Sequence, residues 1–102
     1  MPPTSPNDLG RVHIWVTGRV QGVGFRAFVQ QNAMLFGLTG WVCNVGYDGV
    51  ETVAEGHRDI LEHFAETVSQ GPRASRIDET KVEWETPTGE FCDFDVEYSR
   101  SK

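Results

Sequence analysis

Apolar residues alternate with polar or bulky ones at the start of the chain: Val12, Ile14 and Val16 fall on one side, His13, Trp15 and Thr17 on the other. A period of two predicts a β-strand with one buried face. The period then changes. Phe25, Phe28, Val29, Ala33 and Phe36 recur at the three- and four-residue spacings of an amphipathic helix, and Gly37 is placed to end it. Between the two patterns lies Gly18-Arg-Val-Gln-Gly-Val-Gly24, so a glycine-rich loop joins a strand to a helix.

Gly40 to Tyr47 reads as a second strand and Val50 to Ala54 as a third, with Asp48-Gly49 as the tight turn between them. Ile60, Leu61, Phe64, Ala65 and Val68 mark a second helix, closed by Gly71-Pro72. Arg76 to Glu85 predicts a fourth strand, with Val82 and Trp84 on one face. After a turn at Pro87 to Gly89, Cys92, Phe94, Val96 and Tyr98 alternate along a fifth. The order βαββαβ plus a short strand predicts an α+β, ferredoxin-like sandwich: two helices on one face of a mostly antiparallel sheet of four to five strands. That architecture hosts many unrelated functions, so function has to be read from the loop.

Length and composition narrow the picture. The 102 residues suit one compact domain, expected over residues 10–102, and 38% hydrophobic with 24% charged residues is an ordinary globular balance. Residues 1–9, with Pro2, Pro3 and Pro6 among polar neighbours, predict a mobile tail. Neither a basic segment followed by an apolar stretch nor an apolar run of membrane-spanning length is legible, so the expectation is a cytoplasmic protein with no membrane partner. The net charge of −6 also disfavours nucleic acid as a partner. Its distribution points elsewhere. No acidic residue lies between Asp8 and Asp48, whereas Arg11, Arg19 and Arg26 all do, which predicts a small anion-binding site within this segment.

Several motifs compete for the loop. Gly22-Val-Gly-Phe-Arg-Ala27 matches the dinucleotide fingerprint, but that motif requires a doubly wound parallel sheet and an acidic residue about 20 positions on. No Gly-Lys-Ser or Gly-Lys-Thr follows Gly18, which excludes the nucleoside-triphosphate loop. Gly24-Phe25 with Phe28-Val29 faintly resembles an RNA-recognition signature, yet here the aromatics follow a helical period. What remains is either a concave set of backbone N–H groups, backed by the positive N-terminus of a helix and able to hold a phosphate, or a tight turn alone with Arg26 solvated at the surface. Arg26, in the first turn of that helix, offers a planar fork to two phosphate oxygens.

Val16-Thr-Gly-Arg-Val-Gln-Gly-Val-Gly-Phe-Arg26 and Gly40-Trp-Val-Cys-Asn44 resemble the two signature segments of the acylphosphatases. Gly71-Pro72, Val82-Glu-Trp84 and Pro87-Thr-Gly-Glu-Phe91 extend the resemblance over roughly residues 11–98. It implies hydrolysis of acyl phosphates, such as carbamoyl phosphate and 1,3-bisphosphoglycerate, to a carboxylate and inorganic phosphate by a monomer without metal or cofactor. It also implies that Arg26 binds the phosphoryl group, that Arg19, Val20, Gln21, Gly22, Val23, Gly24 and Phe25 form the phosphate-binding loop, and that Asn44 positions the attacking water. The chemistry is consistent with this. A carboxylate leaving group, whose acid has a pKa of about 4, departs at neutral pH unprotonated. No general acid is then required near the loop, whereas a phosphomonoester would need one.

Two features depart from the family pattern. The turn glycine after Asn44 is Gly49, one place later than usual, and Cys43 stands where a basic or small polar residue is more common. Cys43 is not placed as a phosphatase nucleophile, because that chemistry needs an arginine six residues later and position 49 is glycine. The resemblance lays the last strand beside the second, which opens Cys43 and Cys92 as a possible disulfide; two reduced thiols are the other reading. His13, His57 and His63 read as surface residues without zinc-site spacing. Trp15, Trp41 and Trp84 read as sheet packing, with Trp41 a candidate to border the site.

Overall fold

The computed structural model describes residues 8–97. The elements run β1 (Leu9–Arg19), α1 (Phe25–Leu35), β2 (Thr39–Val45), β3 (Gly49–His57), α2 (Arg58–Gln70), β4 (Arg76–Glu85) and β5 (Phe94–Glu97). One five-stranded sheet has the order β4-β1-β3-β2-β5. All its pairings are antiparallel except β2 with β5, which is parallel. This is the ferredoxin-like fold read from the hydrophobic pattern. Of the expected tail, residues 1–7 lie outside the described range, and Leu9 already pairs with His57 in β1. Tyr98, expected on the last strand, also lies outside it.

The alternation along each strand decides what is buried. Val12, Ile14 and Val16 of β1, Val42 of β2 and Val50 and Ala54 of β3 pack in one core with Phe25, Val29 and Ala33 of α1 and Leu61, Phe64 and Val68 of α2. Phe94 of β5 joins this core and meets Phe64 edge to face, with ring centroids 6.1 Å apart. Among the described residues, the opposite sheet face carries no helix. Its apolar part is a small cluster of Trp41, Cys43 and Val53 under Phe91.

The strand ends differ from the sequence reading in two places. β3 runs on past Ala54 to His57, because β1 supplies hydrogen-bonding partners along that whole length. The hairpin does not turn at Asp48-Gly49: Val45 pairs with Gly49, and the loop is Gly46-Tyr47-Asp48, with left-handed Gly46 (φ 62°) starting it. Gly49 is thus a strand residue.

Candidate active site

β1 ends at Arg19 and α1 begins at Phe25, so the loop between them has few residues in which to reverse the chain. Gly22 and Gly24 adopt φ +75° and +78°, and a Cβ on either would meet nothing within 4 Å. Their requirement for glycine is therefore conformational rather than steric. Gly24 is also the N-cap of α1. No side chain caps this end of the helix and no acidic residue occupies its first turn. First-turn N–H groups have no partner within a helix, and here the sequence supplies no carboxylate to neutralise them.

The loop and the first turn of α1 border a cavity of about 230 Å³ lined by Val20, Gly22, Gly24, Phe25, Arg26, Ala27, Asn44 and Val96. That is below the roughly 300–1,000 Å³ usual for drug-sized ligands, and it suits a small ion or a short acyl phosphate better than a nucleotide. Arg26 and Asn44, far apart in sequence, meet here. Asn44 lies one residue before the end of β2, opposite Val50, and its Oδ1 is buried with no protein hydrogen-bond partner. A buried acceptor without a partner is costly, so this oxygen is suited to receive a proton donor from a small molecule in the cavity. No acidic side chain lines the cavity. Among the described residues no group of three or more His, Cys, Asp or Glu is gathered to hold a metal ion.

A sequence model of the family described as Acylphosphatase matches residues 12–96. The chain belongs to the acylphosphatase family. An acylphosphatase from Trichormus variabilis is 48% identical over 90 residues, covering 87% of this chain and 89% of that protein. The crystal structure of the acylphosphatase from Bacillus subtilis matches with TM-score 0.82 and 39% identity, covering 88% of this chain and 99% of that one. A segment of full-length HypF, crystallised in a phosphate- and nucleotide-bound form, matches with TM-score 0.75 and 32% identity, covering 86% of this chain but 12% of HypF. This acylphosphatase is accordingly a hydrolase acting on acyl phosphates.

Some predicted site residues of the acylphosphatase do not face the cavity. Arg19 is the exposed last residue of β1, paired with Arg76. Val23 packs against the core, and Gln21 turns its amide to the β2–β3 hairpin. Trp41 does not border the site. It differs from Asn44 in strand parity, so it projects to the helix-free face and is buried beside Cys43 and Val53. Val96 was missed. It enters because β5 lies parallel to β2 with Val42 opposite Val96, a pairing with no local signal in the sequence.

Cys43 and Cys92 are free thiols, the first buried and the second exposed, so the possible disulfide is absent. The register explains this: Cys43 stands opposite Glu97, and Cys92 precedes the start of β5 at Phe94. The strand from Phe94 to Glu97 alone runs roughly 10 Å, beyond the ~7 Å Cα limit of a disulfide.

Arg11, one of the three arginines in the acid-free segment, is not part of the anion site. Its Nε donates to Glu85 Oε1 and its Nη1 to Glu55 Oε2, each at 2.9 Å. Glu55 is 7% exposed and also accepts the N–H groups of Thr88 and Gly89, both at 2.9 Å. Burial pushes the Glu55 carboxyl up, but the Thr88 and Gly89 amides, the Arg11 guanidinium and the Thr88 hydroxyl outweigh it and hold it below the usual range. His13 is likewise not a plain surface residue: Nε2 faces Glu51 at 2.5 Å and Nδ1 faces Glu85 at 3.1 Å, with the ring stacked on Trp15.

Proposed function

We propose that the cavity at the start of α1 is the catalytic site, with the backbone of the 19–25 loop and Arg26 holding the phosphoryl group and Asn44 holding the attacking water. The observation that carries this reading is the meeting of Arg26 and the unpartnered Asn44 Oδ1 in one small cavity at an uncapped helix N-terminus. The phosphoryl oxygens take N–H donors from the loop and first turn, and the guanidinium fork takes two of them. Asn44 Oδ1 accepts a hydrogen bond from water and aims its lone pair at phosphorus.

The water oxygen forms a bond to phosphorus as the bond from phosphorus to the acyl oxygen breaks. The electron pair leaves with the carboxylate, and both protons of the water stay with the phosphate, which departs as dihydrogen phosphate. Because the leaving group needs no proton, positioning and charge stabilisation suffice, and the chemistry calls for no metal or cofactor. The substrates would be small acyl phosphates of the carbamoyl phosphate and 1,3-bisphosphoglycerate class. We take the working unit to be a cytoplasmic monomer whose domain spans residues 10–102.

The test is steady-state hydrolysis of benzoyl phosphate with EDTA present. Arg26→Ala should lose both phosphate affinity and turnover. Asn44→Ala should keep phosphate affinity and lose turnover by about 10²–10³. Near-normal turnover in Asn44→Ala would refute the water-positioning role.

A further inference from the structure

Gln21 sits in the middle of the phosphate loop, yet its side chain leaves the cavity. Its Nε2 lies 2.9 Å from the carbonyl oxygen of Gly49, 3.1 Å from that of Gly46 and 3.4 Å from that of Val45. Two amide protons thus reach carbonyls on both sides of the hairpin loop, immediately beyond Asn44. We propose that Gln21 is a positioning residue that fixes the separation between the phosphate loop and Asn44. This rests on the water-positioning role of Asn44 given above.

The need for such a tie follows from where Asn44 is placed. It is one residue from the end of β2, and the residues that follow, Val45 to Asp48, are all exposed, Tyr47 almost completely at 99%. An exposed hairpin tip has little packing to hold it, so its position relative to the loop has to come from hydrogen bonds. Gly18 donates its backbone N–H to Asp48 oxygen at 2.9 Å, which secures the tip to the end of β1. Gln21 adds the link from the tip to the loop itself. The two reacting groups ride on these two pieces of chain: the phosphoryl group on the loop, the water on β2. In-line attack tolerates little error, and a displacement of about 1 Å costs on the order of 10² in rate.

The chemistry of the side chain is specific. The site offers three carbonyl acceptors and calls for a neutral donor at the reach of glutamine. Gln21→Met keeps the length and removes the donors, whereas Gln21→Glu turns a carboxylate toward carbonyl oxygens.

The experiment compares wild type, Gln21→Met, Gln21→Glu, Asn44→Ala and the Gln21→Met/Asn44→Ala pair on benzoyl phosphate, with inorganic phosphate inhibition as a readout of the loop. Gln21→Met should lower kcat by roughly ten- to a hundredfold while the inhibition constant for phosphate stays within about threefold. In the Asn44→Ala background it should cause no further loss, because the water is already unplaced. Phosphate inhibition also reports that each variant is folded, and Gln21→Glu provides a second donor-less variant. The proposal is overturned by a kcat within twofold of wild type, by equal losses in both backgrounds, or by phosphate affinity falling in step with kcat. A wild type that fails to hydrolyse benzoyl phosphate, or an Asn44→Ala enzyme with near-normal turnover, would instead overturn the catalytic reading on which this one rests.

Discussion

At the scale of single residues, the site depends on backbone conformation as much as on side chains. Gly24 holds φ +78° in open space, so Gly24→Ala meets no clash and bears only the left-handed backbone cost, about 1–2 kcal/mol. Urea unfolding should show a loss of that size, with weaker phosphate inhibition as the first turn of α1 shifts; unchanged stability would mean that the loop relaxes. The thiols make a second prediction. Cys92 should react at once with an aromatic disulfide reagent, and Cys43, 1% exposed, only after denaturation. Two fast thiols, or none, would contradict the placement. Arg26 and Asn44, which the proposed site uses, lie in ordered motifs at element ends, and their meeting in one cavity was legible for that reason. Arg11 resembled them in sign and neighbourhood alone, and its partners Glu55 and Glu85 come from strands that no local pattern could place beside it. Trp41 was misplaced for the opposite reason: nearness along a strand was weighed above strand parity, which puts positions 41 and 44 on opposite faces.

At the scale of elements, the segment from Thr86 to Asp93 has no helix or strand of its own, and Glu55 of β3 holds it. Glu55→Gln leaves a single oxygen and turns an amide donor toward other donors, so a cost of roughly 1–3 kcal/mol is expected. The pH dependence has a definite sign. Folding depresses the Glu55 carboxyl, so its stabilisation is present above the unfolded value of about 4.3 and is lost as pH falls through the folded one. Glu85 adds to the same window: burial raises its carboxyl, but hydrogen bonds from His13 and Arg11 bring it below the usual range. Urea midpoints measured from pH 7 down to pH 2 should therefore fall for the wild type below about pH 4. The fall should be shallower in Glu55→Gln, and parallel curves would exclude the clamp. The element order was readable because the hydrophobic period changes at each boundary. The hairpin loop was not, because Gly46 and Gly49 both follow Asn44 closely and only pairing decides which of them turns the chain.

For the whole molecule, the deciding contact is the last described strand. Phe94 is 5% exposed between the helices and the sheet, and Gln30 of α1 donates to its carbonyl oxygen at 2.9 Å. Phe94→Ala should cost about 3–5 kcal/mol, a large share of the 5–15 kcal/mol typical of a domain. Chemical denaturation would show it, and a loss below about 1 kcal/mol would mean that β5 is only loosely seated. The contribution of β5 also carries a consequence in time. Val96, which walls the cavity, comes from β5, while the loop that also lines it lies between β1 and α1, about 70 residues earlier. At about 5–20 residues per second, a ribosome takes on the order of 4–15 s to pass from that loop to β5, and through that interval the nascent chain has a loop, a hairpin and no complete pocket. If the proposed site is the catalytic one, the emerging chain turns over no acyl phosphate until β5 has joined the sheet.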